Sequence, residues 1–418
     1  MADACNIDTG KLDANAYVEN GKYPFFTCAS EPTMIDSYAY NDDVILIAGN
    51  NAQGNFHLNR FNGKFNAYQR TYILTIKDGY DLDYIYYALK LELKRLKEHS
   101  QGSQTKFLTM PILIGIHFKK VTFLEQQKIA KVLSTLDKKI ELNNQINQNL
   151  EAMAKTLYDY WFVQFDFPFD FAQGKPNAND KPYKSSGGKM VYNEELKREI
   201  PEGWEMDIIN NIINVKDGTH DSPKKSDSGY YLITSKHLKA SGIDFNEASL
   251  ISSRDFDLVN KRSKVDKGDF LVSMIGTVGL TYWVKNMDTK FAIKNIGLFK
   301  TSQRPDISDY LYASLNSSFG KAYIQSKMST GTSQPYITLG AIREIPIILP
   351  STNILNLFVR SVSNIYSKIH TNIDETQKLT QLRDWLLPML MNGQVSVADA
   401  TEQVEELMVA EPTQGYGA

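Results

Sequence analysis

The side chains best suited to chemistry in this chain lie in polar loops. The run Asp217–Lys225 combines hydrogen-bond donors and acceptors in a turn-rich sequence, and Ser235–His237 follows a short β-type run. The loop Met328–Tyr336 is similarly polar, and Gln101–Lys106 is its partner in the first half of the chain. Asn and Gln suit the edge of adenine, Arg and Lys suit guanine and phosphate, and Ser and Thr suit either. The chemistry that these loops indicate is hydrogen bonding to DNA.

A single polar loop of this kind is also what an ordinary protein surface contains. Loops that recur in both halves favour DNA binding more strongly, and Gly49–Asn55 and Gly276–Gly279 are such a pair. We predict direct base contacts from Gln104, Lys106, Lys236, Thr332 and Gln334. The other predicted DNA-binding residues are Asn50, Asn51, Gln53, Gln69, Arg70, Thr219, His220, Lys224, Ser235, Lys294 and Ser333.

Motifs for catalysis are missing from the sequence. It contains no GxxxxGK[ST] phosphate loop, HExxH zinc site, GxSxG elbow, GxGxxG fingerprint or NPPY-type tetrapeptide. Pro305 and Asp306 could open a nuclease-like acidic motif, but no Glu-x-Lys follows at a useful distance. No two of the six histidines have ligand spacing, and the two cysteines support neither a zinc site nor a disulfide framework. The sequence therefore predicts a protein that is not an enzyme and that binds no metal or cofactor of its own.

The composition is that of a globular protein. With 418 residues, of which 42% are hydrophobic and 22% are charged, the chain can form two to three domains with their own cores. A run of about 18 apolar residues, which a transmembrane helix would need, does not occur, and the N-terminus lacks the pattern of a signal peptide. We therefore expect a cytoplasmic location. The net charge of −2 hides an uneven distribution, because residues 211–350 carry 18 basic and 13 acidic residues.

A long internal repeat organises the loops. At a lag of 226 residues the matching segments are Asp43–Leu46 with Asp269–Val272, and Lys64 and Phe65 with Lys290 and Phe291. At a lag of 229 residues, Thr109 matches Thr338 and Ile116 matches Ile345. This period is far longer than the roughly 20–50 residues of solenoid repeats. It indicates two copies of a whole domain followed by a helix, with short β-type runs such as Val44–Ala48 and Ile112–Ile116 in the first copy.

Each copy ends in a segment with heptad spacing, which predicts a long amphipathic helix. The residues predicted to form the helix–helix seam are Ile129, Leu136, Asn143, Leu150, Leu157, Phe358, Ile365, Asn372, Leu379 and Leu386. If the two helices pair antiparallel, Asn143, Asn147, Asn372 and Thr376 come together in a polar layer that fixes the register. At about 1.5 Å per residue such a helix is a rod of roughly 60 Å, which could act as a ruler. The alternative, in which each helix only caps its own domain, stays open.

These features predict an α+β protein with an internal pseudo-two-fold repeat. Two globular domains of mixed α/β structure would be separated by two long antiparallel coiled-coil helices. The predicted segments are a first domain at 1–122, a helix at 123–163, a linker at 164–201, a second domain at 202–350, a second helix at 351–392 and an acidic tail at 393–418. The first copy begins near the end of the stretch Trp204–Ile213 of the second. We expect either a shortened first domain or one completed by the C-terminal tail.

The chain resembles the specificity subunits of type I restriction–modification enzymes. The resemblance rests on Gly218–Lys224, Leu232–Ile243 and Val265–Gly279 in the second copy, and on Lys22–Cys28, Asp42–Asn55 and Lys64–Tyr72 in the first. The helix opening Phe123–Gln145 and the phrase Tyr183–Trp204 also fit, so the resemblance covers nearly the whole chain. Its combination of phrases is specific, although no single phrase is.

The resemblance implies two target recognition domains, each reading one half of a split, asymmetric site in double-stranded DNA, with the helices setting the gap. It also implies a non-catalytic subunit that joins two methyltransferase subunits and two endonuclease/translocase subunits. S-adenosylmethionine would then bind to the methyltransferase, and ATP and Mg²⁺ to the endonuclease. Two other classes stay open: a coiled-coil scaffold whose domains bind other ligands, and an enzyme with an unrecognised site.

Overall fold

The computed structural model describes residues 1–50, 56–99, 107–170, 173–177, 180–239, 242–285, 289–330 and 334–409. The chain divides into two compact units. Unit 1 comprises Met1–Ile140 and Lys378–Ala418, and unit 2 comprises Glu141–Gln377. The mixture of helices and strands in repeated domains confirms the predicted α+β class. No helix in the described part of the chain is long and apolar enough to cross a membrane.

Unit 1 is built on a six-stranded sheet with the order β1-β6-β4-β5-β2-β3. Its strands are β1 (Cys5–Thr9), β2 (Tyr23–Phe26), β3 (Thr33–Ile35), β4 (Tyr40–Ala48), β5 (Leu58–Ala67) and β6 (Thr71–Ile76). The helices that follow are α1 (Leu82–His99), α2 (Met110–Ile114) and α3 (Phe123–Tyr158), and residues Asp159–Val163 continue α3 as a π-helix. From Glu141 onward, α3 and this continuation belong to unit 2.

Strand β4 is apolar throughout its second half because both faces of the sheet are covered there. Ile45 and Ile47 point to the side on which α1 and the first part of α3 pack, and Val44 and Leu46 point to a smaller cluster on the other side. The N-terminal ammonium group of Met1 donates to the carbonyl oxygen of Ile116 at 2.9 Å.

Unit 2 contains a four-stranded sheet, β13-β21-β18-β19, beside a three-stranded sheet, β17-β14-β20. Its strands are β7 (Pro168–Asp170), β8 (Lys175–Pro176), β9 (Lys181–Pro182), β10 (Met190–Asn193), β11 (Arg198–Pro201), β12 (Glu205–Ile208), β13 (Val215–Asp217), β14 (Lys225–Thr234), β15 (Leu238–Lys239), β16 (Gly242–Ile243), β17 (Ser249–Ile251), β18 (Phe270–Ser273), β19 (Thr281–Trp283), β20 (Phe291–Lys294), β21 (Ile296–Phe299) and β22 (Pro346–Leu349). The helices are α4 (Ile209–Ile212), α5 (Ser253–Ser263), α6 (Ser308–Asn316), α7 (Ser318–Lys327), α8 (Leu339–Arg343) and α9 (Thr352–Asn392), of which α9 also supplies residues to unit 1. The last helix, α10 (Val397–Val409), belongs to unit 1.

The sheets of the two units repeat one topology. The order β1-β6-β4-β5 in unit 1 corresponds to β13-β21-β18-β19 in unit 2. Each unit also contains one parallel strand pair. It is formed by β2 and β5 in unit 1 and by β14 and β20 in unit 2. Ala67 pairs with Phe26, and Ile293, which matches Ala67 at the lag of 226, pairs with Ile233. Cys28 lies two residues after Phe26, and Ser235 lies two residues after Ile233, so Cys28 and Ser235 occupy equivalent positions.

Two local predictions were wrong. Residues Ile112–Ile116 do not form a strand, because Thr109 precedes a short helix whose first turn contains Pro111. Thr338 precedes α8 in the same way in the second copy. Residues 393–418 were predicted as a loose tail with one possible short helix around Glu402–Met408; α10 includes that helix but begins at Val397 and buries Ala400 and Val404 in the core of unit 1, so this part of the tail is not loose.

The segment 164–201 is folded rather than a linker. Phe165, Phe167 and Tyr183 are buried in the main core of unit 2, where Phe165 and Phe167 pack against Trp204 with ring centroids 5.6 Å and 5.2 Å away. Phe165 and Phe167 precede β7 and Phe169 lies within it, and all three rings pack on the core of unit 2. Gly174 and Gly187 lie in turns, whereas Pro168, Pro176, Pro182 and Pro201 lie within the short strands, so the composition that suggested a linker belongs to a folded segment.

The predicted polar layer is present in unit 2. Asn143 Nδ2 donates to Glu375 Oε2 at 2.7 Å and to Thr376 Oγ1 at 3.4 Å, and Asn372 Nδ2 donates to Asn147 Oδ1 at 2.8 Å. Because the earlier residue of one helix meets the later residue of the other, α3 and α9 run antiparallel in this unit. Glu375 was not predicted as a member of the layer.

The remaining seam positions are apolar, as the heptads predicted. In unit 1, Ile129, Leu136, Leu379 and Leu386 share one core, and in unit 2 Phe358 is fully buried. Leu150, Leu157 and Ile365 are half-buried at the edge of the unit 2 core.

Candidate nucleic-acid interface

Each unit has a cavity at the place where its polar loops converge. The cavity of unit 1 measures about 400 Å³ and is lined by Thr9, Gly49, Gln69, Arg70, Tyr72, Phe107, Leu108, Thr109 and Met110. The cavity of unit 2 measures about 670 Å³ and is lined by Thr234, Ser235, Lys236, Leu238, Lys239, Ile275, Gly276, Thr277, Leu280, Asn295 and Gln334. In unit 1, one wall is the segment after β4 and another is the turn at Gln69. In unit 2, the corresponding walls are the segment after β18 and the turn at Asn295. The two cavities therefore occupy matching positions in the repeat.

The cavity of unit 1 presents one cation beside an aromatic ring. The guanidinium group of Arg70 lies 5.9 Å from the centre of the Phe107 ring, and Phe107 is 50% exposed. Gln69 Nε2 donates to Asp13 Oδ1 at 3.0 Å, so this amide is oriented from outside the cavity. Gly49 donates its N–H to Arg70 O at 2.8 Å, and a Cβ on Gly49 would lie 2.5 Å from that oxygen. Only glycine allows this close approach, which holds Arg70 at the rim.

The floor of the unit 2 cavity is fixed by the buried hydroxyl of Ser235. Its Oγ donates to Asn295 O at 2.8 Å and accepts from the N–H groups of Met274 at 3.1 Å and Ile275 at 3.3 Å. Ser235 thus ties the end of β14 to two other walls. In unit 1 the Cys28 thiol takes the same place, 3.8 Å from Arg70 O. Burial raises the pKa of this thiol, which keeps it uncharged in that role.

The loop after β13 is held against the unit 2 cavity by polar contacts. Asp217, with only 2% of its surface exposed, forms an ion pair with Arg262 and accepts from His220 Nε2 at 2.9 Å. His220 Nδ1 lies 2.9 Å from Asn295 Oδ1. Gly218 runs so close to β20 that a Cβ would lie 2.4 Å from Ile293 O. The loop therefore supports Asn295, which lines the cavity.

The comparison with protein families agrees with this architecture. The model described as "Type I restriction modification DNA specificity domain" matches residues 1–152 and 201–381, which is one match for each copy of the repeat. The chain belongs to this family. It is a DNA sequence-specificity subunit of the type I restriction–modification class, and the alternative of a scaffold without a DNA role is not favoured.

Individual relatives of this specificity subunit are distant in sequence. The chain is 26% identical over 345 residues to the type I restriction enzyme EcoDI specificity subunit of Escherichia coli, which covers 73% of this chain and 76% of that protein. It is 28% identical over 340 residues to the MjaIX specificity subunit of Methanocaldococcus jannaschii, covering 77% and 71%. The crystal structure of a type I restriction-modification S subunit from M. genitalium superposes with a TM-score of 0.51 at 17% identity, covering 93% of this chain and 94% of that one. This last likeness supports the fold.

The predicted DNA-binding residues of this specificity subunit fall into three groups. Those that line the two cavities are Gln69, Arg70, Ser235, Lys236 and Gln334. Those placed beside them are Asn50, which bridges to Phe107, and Thr219, His220, Lys224 and Lys294 in or next to the loop after β13. Asn51, Gln53, Gln104, Lys106, Thr332 and Ser333 lie outside the described residues.

Within these groups the predicted side chains differ in exposure and in their hydrogen bonds inside the protein. Arg70 and Lys236 are exposed. Ser235 uses its hydroxyl inside the protein, and Thr219 accepts from Asp221 N–H at 3.1 Å while Lys294 bonds to Ser222. The second set shapes the loops. The assignment of Ser235, Thr219 and Lys294 as DNA contacts therefore stays a prediction, and their observed hydrogen bonds favour a supporting role.

The residues predicted to bind DNA did not include Asn295, Asp217 or Arg262, although Asp217 opens the polar run Asp217–Lys225. Asn295 matches Gln69 at the lag of 226 residues, so applying the repeat to the predicted residues would have found it. The pairing of Asp217 with Arg262 had no such signal, because the two residues are 45 positions apart and meet only through the sheet.

Proposed function

We propose that this subunit reads a split double-stranded DNA site, the domain in unit 1 reading one half and the domain in unit 2 the other. The observation that carries this proposal is the pair of cavities at equivalent positions with different linings. Arg70 and Phe107 mark the first cavity, whereas Lys236, Asn295 and Thr277 mark the second. A shared framework with different polar linings is what two readers of different sequences need.

The helices α3 and α9 would set the spacing between the half-sites. Their register is specified in unit 2 by the polar layer around Asn143 and Asn147, and in unit 1 by the ion pair of Arg383 with Asp137 at 2.8 Å. Polar groups within a seam disfavour slipped registers, because a slip would bury them without partners.

The subunit would also dock two methyltransferase subunits through the exposed side of these helices. In unit 2, Leu142, Met153 and Tyr160 are 49%, 57% and 39% exposed. Their spacings of eleven and seven residues place them on one stripe of the helix at about 100° per residue. An exposed apolar stripe marks a protein contact, and α3 with its continuation presents this one.

Catalysis would reside in the partners. The methyltransferase subunits would bind S-adenosylmethionine, and two endonuclease/translocase subunits would bind ATP and Mg²⁺. The specificity subunit would be non-catalytic. Incubating the purified chain alone with DNA, S-adenosylmethionine and Mg²⁺ should give neither methylation nor cleavage, and turnover above background would refute this part of the proposal.

Mapping of methylated bases in a host that carries the chain with its methyltransferase tests the division of labour. We expect one split motif. Exchanging residues 202–350 for the equivalent domain of a relative should change one half of that motif and leave the other half and the gap unchanged. Inserting one heptad into both α3 and α9 should lengthen the gap alone. A change in both halves after the domain exchange would contradict the proposal.

The docking stripe is tested by Met153→Glu. We expect this variant to fold normally and to lose co-purification with the methyltransferase, because a charge replaces an apolar contact. Gln148→Glu is the matched control, since Gln148 is exposed on the same helix but lies about 140° around it from Met153. Equal loss of the partner in both variants would show that charge on the helix, and not the stripe, is responsible.

A further inference from the structure

Asn295 has an unusual backbone for a residue other than glycine. Its φ of +52° lies in the left-handed region, which side chains avoid unless the surroundings impose it. Here the surroundings do so, because its N–H donates to Thr219 O at 3.2 Å and its carbonyl oxygen accepts from Ser235 Oγ at 2.8 Å. The result is a rigid turn between β20 and β21 that places the amide of Asn295 at the cavity wall.

The amide of Asn295 is oriented by a chain of polar contacts. Its Oδ1 faces His220 Nδ1 at 2.9 Å, and His220 Nε2 faces Asp217 Oδ2 at 2.9 Å. The other carboxylate oxygen of Asp217 is held by Arg262. In the structure His220 therefore lies between the Asp217 carboxylate and Oδ1 of Asn295. Oδ1 of Asn295 is thereby directed to His220 and away from the cavity.

The nitrogen of the same amide is left for a ligand. Asn295 Nδ2 donates to no group among the described residues, and it shares the cavity with the exposed ammonium group of Lys236. The wall thus offers hydrogen-bond donors. In the major groove, guanine presents two adjacent acceptors, N7 and O6, whereas adenine offers N7 beside its amino group and thymine offers O4 beside its methyl group.

We propose that Asn295 determines base specificity in the half-site read by unit 2, by donating from Nδ2 to N7 or O6 of a purine, with guanine preferred. His220, Asp217 and Arg262 are positioning residues that act through Asn295. The inference rests on the proposed function, because it assigns a contact within the DNA site proposed for this cavity.

The test uses the complex with the methyltransferase and duplexes that carry its mapped site. Each purine of the half-site is replaced in turn by its 7-deaza analogue, which lacks the N7 acceptor, and guanine is also replaced by 2-aminopurine, which lacks O6. For the native complex we expect one position at which removing an acceptor weakens binding about fivefold or more, as loss of one hydrogen bond predicts. Asn295→Gly should abolish the effect at that position alone.

Glycine is chosen because it accepts a positive φ without strain, so the turn should survive when the amide is removed. Asn295→Asp is the second variant, since Asp also tolerates this backbone but offers no donor. Asp217→Asn should reduce the same single-position effect with the amide of Asn295 intact. Gln69→Ala, at the equivalent place in unit 1, is the control and should leave the profile of this half-site unchanged.

Two results would overturn the inference. In one, the Asn295→Gly complex is still weakened as strongly as the native complex by removal of each purine acceptor. In the other, the Asn295→Gly complex loses affinity equally for all duplexes. Failure of the proposed function is distinguishable, because the native complex would then show no preference for any split sequence.

Discussion

The polar layer between α3 and α9 predicts an asymmetric response to two similar substitutions. Asn147 and Asn372 are 8% and 1% exposed and share one hydrogen bond, from Asn372 Nδ2 to Asn147 Oδ1. Asn147 Nδ2 also donates to Ile369 O at 3.3 Å, whereas Asn372 Oδ1 has no partner among the described residues. Asn147→Leu therefore leaves the whole amide of Asn372 without a partner. Asn372→Leu removes one orphaned acceptor and leaves only Oδ1 of Asn147 without a donor.

The magnitudes follow from the number of buried groups left without a partner. A buried polar group without a hydrogen bond costs about 1–3 kcal/mol. We expect Asn147→Leu to lower the free energy of unfolding by about 2–3 kcal/mol and Asn372→Leu by about 1 kcal/mol. Replacing both residues by Leu should be close to neutral, because the buried polar groups leave together and an apolar pair replaces them. The coupling between the sites is then about 3–4 kcal/mol.

The assay can be confined to unit 2. Of the four tryptophans, Trp161, Trp204 and Trp283 lie in unit 2 and Trp385 lies in unit 1. In a Trp385→Phe background, fluorescence during urea unfolding reports on unit 2. Thr371→Ala, an exposed change on α9, is the control. The reasoning is refuted if Asn372→Leu costs more than Asn147→Leu, or if the effects of the two substitutions are additive.

Three further predictions concern other parts of the chain. Phe165 has φ +66° and is fully buried, with Arg198 4.6 Å over its ring. Phe165→Gly should relieve about 1 kcal/mol of backbone strain but lose about 3–5 kcal/mol of packing. Lys197→Gly, at φ +50°, should not destabilise the protein, and urea unfolding of the two variants distinguishes these outcomes. Burial lowers the pKa of His370 to about 3. Because an unfolded histidine titrates near ~6.5, the unfolded state binds the proton first on acidification, and the free energy of unfolding should fall by about 2 kcal/mol from pH 7 to pH 5. His370→Phe should remove this dependence when unfolding is measured over a pH series. Arg70→Ala should relax one position of the half-site read by unit 1, by about 1–3 kcal/mol, and leave the other half unchanged in methylation mapping.

The pairing of the two long helices and the repetition of the domain were predictable because each leaves a periodic signal in the sequence. The heptads give the positions of Asn143 and Asn372, and a polar residue in an apolar stripe has few ways to be satisfied other than by its counterpart. The lag between the copies likewise predicts a repeated domain. Glu375 escaped because it lies beside the heptad positions and reaches the layer through the length of its side chain.

Local irregularities were less predictable, for two different reasons. The residues Ile112–Ile116 have strand-like composition, yet Pro111 in the first turn favours a helix start. These two local signals compete, and both copies of the repeat form a short helix here, α2 in the first and α8 in the second. The segment 164–201 carries turn signals and buried aromatic residues together, and composition alone does not distinguish a linker from a set of hairpins. In both cases the missing information is which residues pack against the segment.

The cavity of unit 2 illustrates the limit for a binding site. The identity of Asn295 is visible in the sequence, but the orientation of its amide depends on His220, Asp217 and Arg262, which reach it from another loop and from α5. Its counterpart Gln69 is oriented by a different partner, Asp13. The positions that close the cavities recur in both copies, as Cys28 and Ser235 show, while the groups that orient the amides of Gln69 and Asn295 differ. A change of specificity therefore need not alter a reader at all, because exchanging the residue that orients an amide can turn a donor into an acceptor at the same place.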